Sequence, residues 1–313
     1  MDPEDVKKAV VVGAGVMGHS IAQVFAQAGI EVGLVDLTVE ALERAMNLIK
    51  SNLDILAEFN RVPRDQIPAI LDRIHPTTDL VAAAQGVDFA LEVVVEVADV
   101  KKKVFSQLDE ICSENIVLAS NTSGLDIFSI AEVKRPERLV ISHWFAPPHI
   151  IPLVEVVPGP ETSPEVVRFT AELMERLGKK PVVMREFVRS FIVNRIQNQI
   201  FLAILEMLEK GWATPQEIDL AVKTSLGIRL PIVGVVQTYD FTGLDLVLDI
   251  MKSYGVSHPL FEEMVEKGHL GAKTSRGLYD YGGRSEEEIL KKRDRLYLKM
   301  LDYLESIRAF EPI

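Results

Sequence analysis

Cysteine is almost absent from this 313-residue chain. Cys112 stands alone, which excludes an internal disulfide framework and a cysteine-built metal site. A single thiol at that position reads as an ordinary helix-end residue, so redox work has to come from a bound cofactor. Long apolar runs are missing as well. No stretch reaches the eighteen or so uninterrupted apolar residues of a membrane span, and MDPEDVKK is acidic and polar where a signal peptide is basic and then apolar. The expectation is a cytoplasmic protein with no membrane partner. Positive charge is scarce: 34 lysines and arginines face 46 aspartates and glutamates, for a formal net charge of −12. Nucleic acid and anionic membrane surfaces select for basic faces and are therefore poor candidates for the main partner. A small anionic ligand can still be held locally, by helix-start amides or by Arg61, Arg64 and Lys101 to Lys103. Of these, Lys102 and Lys103 read as solvated helix-face charges. Internal repeats and low-complexity segments are also lacking.

A hydrophobic content of 48% is ample for one large core and a second smaller one, and the length suggests two domains. KKAVVVG reads as a buried strand, and GAGVMGHSIAQVFAQAG as a helix ending at Gly29. The strand EVGLVD follows, then a long helix from Val39 to about Ala57 punctuated by Pro63 and Pro68, and an amphipathic segment to Ile74. DFALEVVVE and NIVLAS are further strands around a helix from Val100 to Ile111. Strands alternating with helices in this order predict an α/β domain, a Rossmann-type doubly wound parallel sheet covered on both faces. The pattern changes after the strand PVVMRE. SFIVNRIQNQIFLAILEMLEKG is apolar nearly all round, which predicts a helix buried against partners. PQEIDLAVKTSLG, FTGLDLVLDIMKSYG, HPLFEEMVEKG and EEEILKKRDRLYLKMLDYLESI then read as an all-helical C-terminal domain. The expected division is 1–187 and 188–313.

Gly13, Gly15 and Gly18 have G-x-G-x-x-G spacing between a predicted strand and helix. The first glycine permits a tight turn, the second lets a pyrophosphate approach the backbone, and the third lets helix pack on strand, while the helix start supplies amides to the phosphates. Asp36 ends the next strand eighteen positions after Gly18 (36 − 18). A carboxylate there accepts bonds from ribose hydroxyls and repels a 2′-phosphate, which points to NAD over NADP. FAD is the competing dinucleotide, but no second flavin signal accompanies the turn.

In ISHWFAPPHIIPLVEVV, His143 precedes two aromatics and a proline pair, and Glu155 interrupts an apolar run. A lone carboxylate in LVEVV costs free energy unless something pairs with it. The simplest partner is His143, twelve positions earlier (155 − 143) across a proline turn. Oxidising an alcohol needs a base for the hydroxyl proton, and a histidine oriented by a carboxylate supplies one. A satisfied core histidine and a helix-capping glutamate are the competing readings.

With these motifs in place, the chain resembles the 3-hydroxyacyl-CoA dehydrogenase family from Lys8 to about Gly283. The resemblance rests on GAGVMG, LVD, VVVEVADVKKKVF, NTSGLDI, SHWFAPP, LVEVV, FIVNR, GLD and LGAKTSRGLYDY, in the family's order. It implies a Rossmann domain followed by a helical domain that mediates homodimer formation, and oxidation of a 3-hydroxyl with NAD. By the same resemblance His143 is the base and Glu155 its orienter. Ser123 and Asn194 contact substrate oxygens, and Gly13, Gly15, Val16, Met17, Gly18 and Asp36 bind the cofactor, with Glu96 and Lys101 near its nicotinamide ribose. The bland alternatives are a domain-bridging amide for Asn194, a surface charge for Lys101 and a strand-end carboxylate for Glu96.

The chain also departs from the family. Ala146 stands where an Asn usually helps hold the cofactor, and Arg189, Ser190 and Phe191 replace a Pro-Gly-Phe hinge. Asn52 and Phe59 align with the Ser and Lys that bind coenzyme A, with Arg61 or Arg64 as substitutes. The stretch APPHIIPLVEV is similar to a branch of the superfamily acting on free acids, which includes lambda-crystallin/L-gulonate 3-dehydrogenase, carnitine dehydrogenase and a pyridine-carboxylate dehydrogenase. LGAKTSRGLYDY is closer to 3-hydroxybutyryl-CoA dehydrogenase. The principal expectation is therefore an NAD-dependent 3-hydroxyacyl-CoA dehydrogenase acting on an acyl-CoA. The alternatives are a dehydrogenase of a free hydroxy acid or hydroxylated carboxylate, and a noncatalytic NAD-binding protein. A 2-hydroxy-acid or 6-phosphogluconate type would carry a lysine on the interdomain helix, where FIVNRIQNQIF has none.

Overall fold

The computed structural model describes residues 2–311. Short runs rich in β-branched residues form the strands β1 (Lys8–Val12), β2 (Glu31–Val35), β3 (Ile74–Thr77), β4 (Phe89–Glu92), β5 (Val117–Ser120), β6 (Leu139–Trp144), β7 (Leu153–Pro158) and β8 (Lys180–Val183). They make one eight-stranded sheet in the order β3-β2-β1-β4-β5-β6-β7-β8. From β3 to β6 every neighbouring pair is parallel. The wholly parallel sheet expected from strand–helix alternation stops there. β7 runs antiparallel to β6 and parallel to β8, because only the short segment 145–152 joins β6 to β7 and no crossover helix can fit within it. The register of that hairpin sets His143 directly opposite Glu155.

Around the sheet lie α1 (Gly18–Gln27), α2 (Val39–Glu58), α3 (Ile67–Asp72), α4 (Leu80–Ala84), α5 (Ala98–Ile111), α6 (Ile127–Ile130) and α7 (Pro164–Arg176). Alternation along the strands sends side chains to two cores. One packs Val11 and Leu34 with Phe25, Phe89 and Trp144 against α1, α2 and α7, and the other packs Val10, Ala90, Leu118 and Ile141 against Phe105 and Leu108 of α5. Cys112 caps α5, buried, with its thiol donating to the carbonyl of Ala84 at 3.7 Å. Burial pushes that thiol up to about 11, despite the opposing influence of Arg138. It is a packing residue.

The chain divides into two compact units, the first ending at Gln199 and the second starting at Ile200. α8 (Val193–Glu209) runs through that division. Among the described residues its expected burial is not seen within the chain: no residue of α8 is buried, and Ile200, Phe201 and Leu202 are exposed. The second unit continues with α9 (Pro215–Thr224), α10 (Leu226–Thr242), α11 (Leu244–Ser253), α12 (Pro259–Glu266) and α13 (Glu286–Ser306). Its organising residue is Asp240 of α10, which is buried and accepts bonds from Leu278 N at 2.8 Å, Tyr279 N at 2.9 Å and Tyr281 Oη at 3.0 Å. A Cβ on Gly271 would stand 2.2 Å from the Asp240 carbonyl, and one on Gly277 2.3 Å from its carboxylate. The glycines of LGAKTSRGLYDY therefore let this segment wrap a buried carboxylate.

Candidate active site

The turn from β1 into α1 is built by close backbone approach. Gly13 has φ +109°, and a Cβ on it would meet the Val93 carbonyl at 2.6 Å; one on Gly18 would meet the Gly13 carbonyl at 1.7 Å. Gly15 differs, since a Cβ there would have nothing within 4 Å. Open space in front of Gly15, between two positions that tolerate no side chain, is the cradle a pyrophosphate needs. Val16 is exposed beside it and Met17 is partly buried. Asp36 closes the turn, with Oδ2 accepting from Ala14 N and Oδ1 from Leu37 N, each at 2.7 Å. Each carboxylate oxygen has lone-pair capacity left for a ribose hydroxyl. The residues present fit a dinucleotide whose ribose is not phosphorylated.

His143 and Glu155 are brought together as paired residues of the β6–β7 hairpin, both almost wholly buried. His143 Nδ1 lies 2.9 Å from Glu155 Oε2. A carboxylate can only accept, so Nδ1 carries a proton, and in the neutral ring the lone pair is left on Nε2. The other carboxylate oxygen, Oε1, accepts from the backbone N–H groups of Ile192 and Val193, both at 3.0 Å, at the start of α8. Those amides complement the negative charge and answer why LVEVV tolerates a glutamate. The imidazole is walled by Phe145, with ring centroids 4.6 Å apart, and by Phe191, at 5.1 Å. Ser190 and Phe191 sit at φ +69° and +49°. Left-handed backbone is unfavourable for a phenylalanine, and here it seats the ring on His143 while aiming the next two amides at Glu155.

Glu96 and Ser123 follow the carboxyl ends of β4 and β5, Lys101 lies in α5 and Asn194 in the first turn of α8. Glu96 Oε1 accepts from Thr122 Oγ1 at 2.5 Å, Ser123 N at 2.9 Å and Gly124 N at 3.2 Å, and so holds the turn that presents Ser123. Partial burial pushes the Glu96 carboxyl up, but the bonds from Thr122 and Lys101 outweigh it and leave it below its ordinary value. Lys101 is buried, with its ammonium on Glu92 at 2.8 and 3.0 Å and on Glu96 at 3.1 Å. Asn194 Nδ2 reaches the Ser123 carbonyl at 3.5 Å. Lys102 and Lys103 are exposed, with Lys102 paired to Glu132.

Several supporting residues escaped the sequence reading. Glu92 is fully buried and also accepts from Ser120 Oγ at 2.6 Å and Val94 N at 2.7 Å. Asn121 Oδ1 accepts from Trp144 N at 2.8 Å, tying the end of β5 to the strand that carries His143. A second carboxylate inside an apolar strand, as in FALEVV, was the available signal for Glu92. Asn121 and Phe191 lay within the NTSGLDI and hinge motifs, but their contacts depend on nonlocal neighbours that no local pattern signals. Among the described residues no cluster of ligating side chains could hold a metal ion.

A glycine turn at the head of a sheet of this order, an acidic β2 terminus and an oriented histidine define a dinucleotide-dependent oxidoreductase. Comparison with known proteins sharpens that class. The family model described as 3-hydroxyacyl-CoA dehydrogenase, NAD binding domain, matches residues 8–187, and that of the C-terminal domain matches residues 191–281. The chain belongs to the 3-hydroxyacyl-CoA dehydrogenase family, and its cofactor is NAD. It is 37% identical over 281 residues to a probable 3-hydroxybutyryl-CoA dehydrogenase of Deinococcus radiodurans, covering 87% of this chain and 99% of the relative. A crystal structure of a 3-hydroxyacyl-CoA dehydrogenase from Archaeoglobus fulgidus superposes with a TM-score of 0.80 at 29% identity, covering 96% and 99% of the two chains. A 5-formyl-3-hydroxy-2-methylpyridine 4-carboxylate 5-dehydrogenase of Mesorhizobium japonicum is 26% identical over 310 residues, covering 96% and 99%.

Proposed function

We propose that the protein interconverts a 3-hydroxyacyl-CoA and a 3-oxoacyl-CoA. The observation that carries the chemistry is the placement of Glu155 between His143 Nδ1 and two backbone amides. It fixes one ring orientation in which the neutral imidazole presents Nε2 as the base. His143 takes the hydroxyl proton as the C3–H hydride departs, and Glu155 stabilises the imidazolium that results. In the opposite direction His143 returns that proton to the new hydroxyl. Ser123 and Asn194 hold the substrate oxygens; their proximity supports this pairing. Gly13, Gly15, Val16, Met17 and Gly18 hold the pyrophosphate and Asp36 the ribose, while Glu96 contacts the nicotinamide side, kept in place by Lys101. When bound, NAD supplies the hydride acceptor.

The cofactor domain is assigned to 1–187 and the substrate and dimerisation domain to 188–313, a division supported by the ends of the two family matches. Assembly as a homodimer is supported by the uncovered apolar residues of α8. Among the described residues no helix is long and apolar enough to cross a membrane. Together with the lone cysteine this supports a cytoplasmic place, and the likeness to hydroxyacyl-CoA dehydrogenases supports a role in fatty acid metabolism.

One observation favours a second reading, oxidation of a free hydroxy acid. On α2 the Asn52 amide is engaged by Gln23 at 3.1 Å, and Phe59 is an exposed apolar side chain, so neither offers a cation to coenzyme A phosphates. Arg64 lies 3.9 Å from Asp54, which Lys50 already pairs at 2.9 Å. The discriminating experiment is NADH oxidation with acetoacetyl-CoA beside free acetoacetate at matched concentration. At least ~10-fold preference for the thioester is expected from the binding energy of the carrier. Turnover of neither compound by protein that still binds NADH would move the assignment to carboxylated alcohols.

A further inference from the structure

The segment from Phe145 to Pro152 joins the strand of His143 to the strand of Glu155, and it is clasped from outside the hairpin. Ser20, in the first turn of α1 and two residues beyond Gly18, accepts the backbone N–H of His149 at 3.1 Å, and its hydroxyl lies 2.7 Å from His149 Nδ1. Ser20 is buried and His149 partly so. On the far side, Lys179 donates to the carbonyls of Pro148 and Ile151, the latter at 3.1 Å, and lies over the Trp144 ring. Within the segment Ile150 N and Ile151 N both donate to the Pro147 carbonyl at 3.0 Å.

The protonation state of His149 follows from what surrounds it. Burial lowers its pKa first, and His19 of α1 and Lys179 lower it further. His19 Nδ1 donates to the Gly15 carbonyl at 2.7 Å. Ser20 Oγ shares one hydrogen bond with His149 Nδ1, its direction set by the tautomer of the ring, and accepts a second from the His149 backbone N–H. Ring and backbone of His149 are thus both tied to one hydroxyl, which makes a closed two-bond clasp.

From this geometry we infer that Ser20 and His149 are positioning residues for the reaction, joining the cofactor turn to the catalytic hairpin. One end of the clasp sits on the helix whose first amides meet the pyrophosphate. The other lies six residues after His143 and six before Glu155 (149 − 143 and 155 − 149). A change in either end therefore alters the separation between the hydride acceptor and the base. Part of the inference rests on His143 being the base; the link to cofactor binding does not.

The test measures NADH affinity by protein fluorescence, steady-state kcat and KM, and thermal stability for Ser20→Ala, His149→Ala, His149→Asn and the Ser20→Ala/His149→Ala pair. In His149→Asn the side-chain amide, with both a donor and an acceptor, would occupy the place of the imidazole Nδ1 and can form the same bond in either direction. Ser20→Ala and His149→Ala should each lower kcat about 10-fold, the scale of a sub-ångström misplacement. They should weaken NADH binding about 5-fold and leave the KM of the acyl substrate within about 2-fold. His149→Asn should retain both kcat and NADH affinity, and the double variant should be no worse than either single one. The inference is overturned if both alanine variants stay within about 2-fold of the parent in kcat and NADH affinity, or if His149→Asn is as impaired as His149→Ala. His143→Ala, run alongside, separates the two layers of argument. Near-parental turnover in that variant removes the base assignment, whereas loss of NADH affinity in the clasp variants reports on the clasp alone.

Discussion

The two units of the chain satisfy their apolar side chains in opposite ways. In the first, every residue of β4, β5 and β6 is buried, and helices on both faces complete two cores that include Phe25, Phe89, Phe105 and Trp144. In the second, the core cluster reduces to Ala272, Tyr281 and Ile289 with Phe241 against it, while Phe201, Leu202, Trp212 and Leu298 remain exposed. The first unit thus makes its own low-dielectric interior, within which His143, Glu155, Glu92 and Lys101 acquire defined partners. The second is organised around a polar centre, Asp240, and leaves many apolar side chains exposed. The proposed catalytic geometry and the proposed assembly thus draw on different physical resources.

The sharpest way to break that comparison is to remove the proposed base from the first unit. His143→Ala should cut kcat by about 10²-fold or more through loss of general base catalysis, with NADH affinity, read by fluorescence titration, unchanged because the glycine turn is untouched. Next in size is the centre of the helical unit. Asp240→Ala strands three donors and should cost about 2–4 kcal/mol in chemical denaturation, and the first unit's cofactor binding should survive at low denaturant. A smaller effect is expected from Phe201→Asp on α8, a charge on an exposed apolar face. Light scattering should register a shift from the mass of two chains toward that of one, and an unchanged mass would remove this helix from the proposed interface. Least dramatic is Cys112. With its thiol raised to about 11 by burial, alkylation of the native protein at pH 8 should run roughly 10²-fold slower than in the unfolded chain, and rise as pH approaches the folded value. Rapid labelling would show that the α5 end opens readily.

How far the fold could be read ahead depended on the range of the interactions involved. Gly13, Gly15, Gly18 and Asp36 are close in sequence and act through backbone shape, so their spacing described the turn well. β3 went unread because IHPT is short, carries a proline and lies at the sheet edge, where β propensity is weakest. FALEVVVE was read as one strand, yet β4 ends at Glu92 and the next residues leave the sheet to bring Glu96 under the NTSG turn. α8 looked buried because its apolar pattern specifies a partner without saying whether that partner lies in the same chain.

By itself the sequence determined the local features of this protein: the strand–helix alternation, the dinucleotide turn, the NAD preference signalled by Asp36 and the two residues of the dyad. These follow from periodicity, glycine sterics and the cost of burying a lone carboxylate. Only the tertiary structure decided that β7 turns back against β6 to set Glu155 opposite His143. It also decided that the amides of Ile192 and Val193 complete that carboxylate, that Glu92 neutralises Lys101, and that Ser20 reaches His149. Each of those contacts joins residues apart in the chain, and a hydrogen bond's partner is chosen by the packing that excludes water around it, which no local pattern encodes.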